Sequence, residues 1–158
     1  MRVLAMSDTH GAHQSAAKVV AQCGCDLVLH AGDLYEDARR IAAATGVRVL
    51  AVAGNSDGIR AGPRERVFEL GGFRTMLVHG HQYDVKQRLD RLVYRGLEIG
   101  ARLVVFGHTH LPVDFAEQGI RFINPGSLST RRLRTPHPTY CLLSFSDGTV
   151  SSRIVEVR

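Results

Sequence analysis

The chain has 158 residues, a net charge of +5 and 44% hydrophobic content, which suits one domain over 1–158 that buries a core without staples. No apolar run approaches the roughly 20 residues of a membrane helix, and no basic segment leads into an apolar one at the N-terminus. A membrane span and a signal peptide are therefore both unexpected, and a cytoplasmic location is the expectation. Cys23, Cys25 and Cys141 are an odd set without regular spacing, which speaks against a disulfide framework and for plain thiols.

Strands and helices alternate through the first half. The run Arg2–Met6 reads as a strand, and His13–Cys23 as a helix whose apolar face holds Ala16, Val19, Val20 and Cys23. A second strand is predicted over Asp26–Leu29 and a second helix over Tyr35–Thr45, stopped by Gly46. The run from Val47 to Asn55 gives a third strand. This order predicts parallel strands joined by right-handed crossovers. Two strands around Gly71-Gly72 form a predicted hairpin. A helix is expected from Asp84 to about Ile99, with Val85, Leu89, Leu92, Val93 and Leu97 as its stripe. An apolar strand from Ala101 to Phe106 follows. The last third reads as four more strands, with a hairpin turn at Ser146-Asp147-Gly148. The fold class expected is α/β, with two mixed sheets packed face to face and helices outside.

Five of these segments end in the same kinds of residue. They give Asp8-Thr9-His10, Gly32-Asp33, Gly54-Asn55-Ser56-Asp57, His79-Gly80-His81 and Gly107-His108-Thr109-His110. Five of the eight histidines fall in these motifs. Any one motif alone reads as a turn or a helix cap. All five together read as a site, because ligands gather where the strands of open α/β sheets end. Imidazole with carboxylate suits manganese, iron, zinc or nickel. Two such ions roughly 3.5–4 Å apart form a clamp for phosphoryl chemistry.

The set SDTHG, AGD, GNSD, VHGH and GHTH resembles the calcineurin-like metallophosphoesterase superfamily. The short length and Asn124-Pro125-Gly126-Ser127 are most similar to its small bacterial and archaeal phosphodiesterase branch, the YfcE type. The resemblance covers essentially the whole chain. It implies a four-layer α-β-β-α sandwich and two divalent transition metal ions, Mn²⁺ foremost, with Ni²⁺, Fe or Zn²⁺ as alternatives. By motif, Asp8, His10, Asp33 and His110 hold the first ion. Asp33 bridges to a second ion, which Asn55, His79 and His108 complete. The choice of His79 over His81 rests on the motif, and the sequence itself leaves the two open. His81 and Asp57 are the candidates for proton transfer or for orienting a ligand. The expected reaction is hydrolysis of a small phosphate ester, most of all a diester, by in-line attack of a metal-bridging hydroxide. No serine or cysteine nucleophile is needed, although Ser7 and Ser56 lie close by. Many relatives carry a histidine after the asparagine to protonate the leaving group, and Ser56 stands there instead. A poor leaving group needs such an acid.

Two other function classes stay open at this point. One is a binding module, since a retromer scaffold subunit of similar fold binds proteins with a degraded site; the complete ligand set here argues for catalysis. The other is a small nuclease, which the basic charge favours. The clusters Arg60, Arg64, Arg66 and Arg131, Arg132, Arg134 either meet an anionic substrate or form solvated surface. No nucleic-acid-binding motif accompanies them. No membrane partner is expected, and the late strands offer an edge on which two copies can pair.

Overall fold

Strand β1 (Arg2–Met6) shows how the layers arise. Its side chains alternate between two faces, yet Val3, Leu4, Ala5 and Met6 are all fully buried. Val3 and Ala5 pack with Leu77, Leu103 and Val105 of a second sheet. Leu4 and Met6 pack with Ala16, Val19, Val20 and Ile41 of two helices. A strand covered on both faces must lie inside a layered α/β structure. The computed structural model describes residues 1–157, the side chain of Arg132 excepted.

The first sheet has the order β10-β9-β1-β2-β3. β2 (Leu27–His30) and β3 (Val49–Ala51) run parallel to β1, joined through α1 (His13–Cys23) and α2 (Tyr35–Thr45). Val3 stands opposite Leu27, and Val28 opposite Val49. The second sheet has the order β4-β5-β6-β8-β7. β4 (Glu65–Leu70) and β5 (Phe73–Val78) make the expected hairpin, with Leu70 opposite Phe73. Its two turn residues, Gly71 and Gly72, both take positive φ (58° and 82°), the combination a two-residue hairpin turn requires. β6 (Leu103–Val105) and β8 (Ile120–Pro125) run parallel to β5 and to each other, and β7 (Pro112–Glu117) closes the far edge antiparallel to β8. β9 (Thr139–Ser146) and β10 (Thr149–Glu156) return to the first sheet, joined by the predicted turn. Helix α3 (Asp90–Glu98) covers the outer face of the second sheet through Leu92 and Val93, against Met76, Val104 and Phe122. The four layers are thus α1/α2, first sheet, second sheet, α3.

Four elements start elsewhere than the sequence predicts: β3 begins at Val49 and β6 at Leu103, and β2 and α3 differ as follows. β2 begins at Leu27 rather than Asp26, whose carboxylate accepts the Arg2 backbone N–H at 2.7 Å. The helix expected from Asp84 begins at Asp90. Residues His81–Tyr83 form a 3-10 turn, and Asp84 ends it with φ 58°. Val85 still packs into the same outer core as Leu92. A turn that buries Val85, followed by a helix, therefore mimics one continuous apolar stripe. Among the described residues no helix is long and apolar enough to cross a membrane.

Candidate metal centre

The carboxyl ends of β1, β2, β3, β5 and β6 meet in one cleft. The backbone knits the loops there: Asp8 N–H donates to the Gly32 carbonyl (2.8 Å), His10 N–H to the Asp33 carbonyl (3.1 Å) and Gly107 N–H to the His79 carbonyl (3.1 Å). Among the described residues, five of the eight non-glycine positions with positive φ are Asp8, His10, Asp33, His108 and His110. L-residues adopt this region at a cost, and such positions persist where the surrounding structure fixes them.

The side chains converge in two groups. Ligand atoms of Asp8, His10 and His110 lie within 4.8 Å of one another, and so do those of Asp8, Asp33 and His79. Asp8 Oδ1 stands 3.1 Å from His110 Nε2, 3.8 Å from His10 Nε2 and 4.0 Å from His79 Nε2. His10 Nε2 and His110 Nε2 are 3.4 Å apart. On the other side, His79 Nε2 lies 3.0 Å from Asn55 Oδ1, 3.2 Å from His108 Nδ1 and 3.5 Å from Asp33 Oδ2. Asp33 also reaches His10 Nε2, at 3.8 Å, so its carboxylate faces both groups. Asn55 is exposed and marks the rim, whereas Asp8 and His79 are fully buried.

Neighbouring groups hold these side chains from behind. The Ala31 carbonyl lies 2.7 Å from His79 Nδ1. That contact places a hydrogen on Nδ1 and turns the Nε2 lone pair inward. Asp8 Oδ2 accepts from the Ser7 hydroxyl (2.6 Å) and the His108 N–H (3.0 Å). Oδ1, buried, has no hydrogen bond. Asp33 accepts the Ser56 N–H on Oδ1 (3.0 Å) and the Ser56 hydroxyl on Oδ2 (2.9 Å). Asn124 donates to the Gly107 carbonyl (2.8 Å) and Thr109 Oγ1 (3.0 Å), and Ser127 donates to the Asp8 carbonyl (2.8 Å). The Asn-Pro-Gly-Ser segment therefore braces two of the loops.

The electrostatics follow from this crowding. Burial raises the carboxyl pKa of Asp33, but the bonds from His79 and Ser56 outweigh it and hold the group well below the usual range. Asp8 is likewise pushed up by burial and pulled down further by His110, His79 and Ser7. Burial disfavours the charged form of His79, yet Asp33 and Asp8 raise its pKa above the ordinary imidazole value. Burial, with the charges of His79 and Lys86, drops His108 to about 4. The cluster therefore favours positive charge at its middle. An unbonded carboxylate oxygen, inward lone pairs and a mixed imidazole–carboxylate–amide donor set fit divalent transition ions.

Several candidates lie elsewhere. The His81 ring centroid is 5.4 Å from that of His79, and its Nε2 accepts from Arg64 at 3.0 Å. Burial, His79 and Arg64 lower its pKa. Asp57 does not orient an imidazole: its carboxylate accepts the N–H groups of Tyr35 and Gly54, both at 2.8 Å, and ties the Asn55 loop to the start of α2. Arg66 donates to the Ala51 carbonyl (2.8 Å), while Arg60, Arg131 and Arg134 are exposed and the Arg132 side chain lies outside the described residues. All three cysteines are free thiols. The sequence reading missed His30, Thr9 and Asp37, which lie buried behind the Asp8–His10 loop. The available signal was a histidine closing the apolar run Leu27–His30.

A family model described as the calcineurin-like phosphoesterase superfamily domain matches residues 1–148. A probable metallophosphoesterase of Mycoplasma pneumoniae is 35% identical over 153 residues, which cover 95% of this chain and 93% of that relative. Wild-type Vps29 from Entamoeba histolytica, solved in complex with Zn²⁺, is similar with a TM-score of 0.78 and 25% identity over 99% of each chain. A novel archaeal phosphodiesterase shares the fold with a TM-score of 0.76 and 22% identity, over 98% of this chain and 100% of that one.

Proposed function

The chain belongs to the calcineurin-like phosphoesterase superfamily, and on that premise we propose that it is a phosphodiesterase working with two divalent cations on a small phosphate ester. Asp8, His10, Asp33 and His110 are the proposed ligands of the first cation. Asp33, Asn55, His79 and His108 are those of the second, with Asp33 shared. The observation that carries this reading is the convergence of ligand atoms: His79 Nε2 lies 3.0 Å from Asn55 Oδ1 and 3.5 Å from Asp33 Oδ2, beside the unbonded Asp8 Oδ1. Two carboxylates this close to one another favour a positive charge among them, which a bound cation supplies in place of a proton on His79.

When bound, a cation pair activates water at neutral pH and neutralises charge on the phosphoryl oxygens. The chain's own residues do the rest. The Ala31 carbonyl fixes the His79 tautomer, Ser56 keeps Asp33 ionised, and Ser7 aims Asp8. His81 and Arg64 stand beside the ligand set, where an anionic ester approaches. Because Ser56 is bonded to Asp33, it donates nothing to a leaving group, which favours esters that depart readily. Manganese is the first choice of metal. The zinc complex of Vps29 supports zinc as its alternative, and the archaeal phosphodiesterase supports a diester.

The test is metal content by mass spectrometry together with hydrolysis of bis-p-nitrophenyl phosphate across Mn²⁺, Ni²⁺, Zn²⁺ and Mg²⁺. About two metals per chain and metal-dependent turnover are expected. Asp33→Asn should lower turnover more than about 100-fold, beyond what losing an outer partner of a ligand costs. Fully loaded protein without turnover on any ester would overturn the enzyme reading and favour a binding module.

A further inference from the structure

Behind the Asp8–His10 loop lies a set of polar side chains that the proposed hydrolysis does not use. Thr9 and His30 are fully buried, and Asp37 is 2% exposed. Unbonded, they would be costly among the surrounding Leu, Val and Ile. Each is bonded, in a consistent direction. The Gly32 N–H donates to His30 Nδ1 at 3.2 Å. The other ring nitrogen, Nε2, then carries the hydrogen and donates to Thr9 Oγ1 at 3.1 Å. The Thr9 hydroxyl donates to Asp37 Oδ2 at 2.7 Å, and the Gly11 N–H reaches the same oxygen at 2.7 Å. Asp37 itself sits in the first turn of α2, where the helix dipole favours a carboxylate.

The attachment points matter more than the bonds. Thr9 and Gly11 bracket His10, whose φ is 43°. Gly32 precedes Asp33, whose φ is 49°. Both residues sit in a backbone region that a free chain leaves. Asp37 holds the residues on both sides of His10, while His30 ties the Asp8–His10 loop to the Asp33 loop. None of the three bonds to Asn55, and His79 is reached only at one remove, through the Ala31 carbonyl beside Gly32.

We infer that His30, Thr9 and Asp37 form a positioning relay that fixes the Asp8–His10 ligand loop and so sets the affinity of the first cation site over the second. The inference rests on the two-cation reading above. Thr9 is the link to cut, since valine has nearly the same shape and no hydroxyl, whereas serine keeps the hydroxyl.

The experiment is a Mn²⁺ titration of the metal-stripped full chain, read by the electron paramagnetic resonance signal of free Mn²⁺, with thermal melting measured alongside. Wild type should show two sites. Thr9→Val should weaken one site by about 10- to 100-fold and leave the other within about threefold, the range seen when an outer partner of a ligand is lost. Thr9→Ser should restore the wild-type isotherm. If Thr9→Val does not fold, Asp37→Ala frees Thr9 and Gly11 on either side of His10 while leaving the bond from Gly32 to His30, and is read in the same way. Unchanged binding in the cut variant, or equal weakening of both sites in step with melting, would overturn the relay. Wild type that takes up no Mn²⁺ would instead overturn the two-cation reading on which it rests.

Discussion

A methyl added at Gly54 would lie 1.9 Å from Asp33 Oδ1 and 2.7 Å from its Cγ. The Asp33 carboxylate is thus packed directly against backbone, with no slack on that side. Gly54→Ala should push Asp33 out of line and weaken Mn²⁺ uptake by about tenfold or more, while the far-ultraviolet circular dichroism stays that of wild type. Titration of the two proteins side by side checks it. At this scale the sequence is most legible where the chemistry is least ordinary. Asp8, His10, Asp33, Asn55, His79, His108 and His110 stand out because polar residues end apolar runs, and they do meet in one cleft. Asp57 stands out equally, yet it serves the backbone. His30 and Asp37 do not stand out, since nothing in a local pattern separates a buried histidine or a helix-start aspartate from its common exposed counterpart. Only the long-range pairing of β1 with β2 brings them behind Thr9.

Elements carry a different division of labour. α1 and α2 connect strands whose ends hold proposed ligands, whereas α3 supplies no proposed ligand and serves the outer core. Leu92, fully buried there, is a pure packing residue. Leu92→Ala should lower stability by about 2–5 kcal/mol through the cavity it leaves. Metal stoichiometry should stay at the wild-type value, and chemical denaturation with metal analysis separates the two effects. The strands and hairpins were readable because period-two patterning and turn residues are local. The start of α3 was not, because Val85 reaches the helix's own core cluster from a turn. An apolar spacing records which residues are buried together, and here one stripe comes from two backbone conformations.

At the scale of the molecule, the two sheets are fastened at an edge as well as through the core. Arg121 on β8 pairs with Asp114 on β7 through two bonds of 2.9 Å, then reaches across to the Val150 carbonyl (2.7 Å) and Ser152 Oγ (2.6 Å) on β10. Ser152 also bonds to Asp114 directly. Burial pushes the Asp114 pKa up, but Arg121 and Ser152 outweigh it and hold the carboxyl below its ordinary 3.8. A carboxylate lowered in this way stabilises the fold fully above its unfolded pKa, and that contribution fades as pH falls through the folded value. Asp114→Asn should therefore cost about 1 kcal/mol at neutral pH. The cost should shrink toward zero as pH falls from the ordinary carboxyl value through the lowered folded one, below which both proteins are uncharged at this position. Denaturant midpoints of the pair across that range test the sign.

The cleft has a thermodynamic consequence that follows from where its residues originate. Asp8, His10, Asp33 and Asn55 follow strands of the first sheet, and His79, His108 and His110 follow strands of the second. An ion gripped by both Asp8 and His110 closes a loop of about 100 residues that the unfolded chain would otherwise leave open. Neither half of the chain supplies either proposed set of four by itself, so with such an ion bound, opening the sandwich and releasing it would be one event. Free ion concentration would then act on the melting temperature by mass action. A cell short of the ion would hold more of this chain in the open form that proteases cut, and its abundance would follow metal supply without any dedicated sensor.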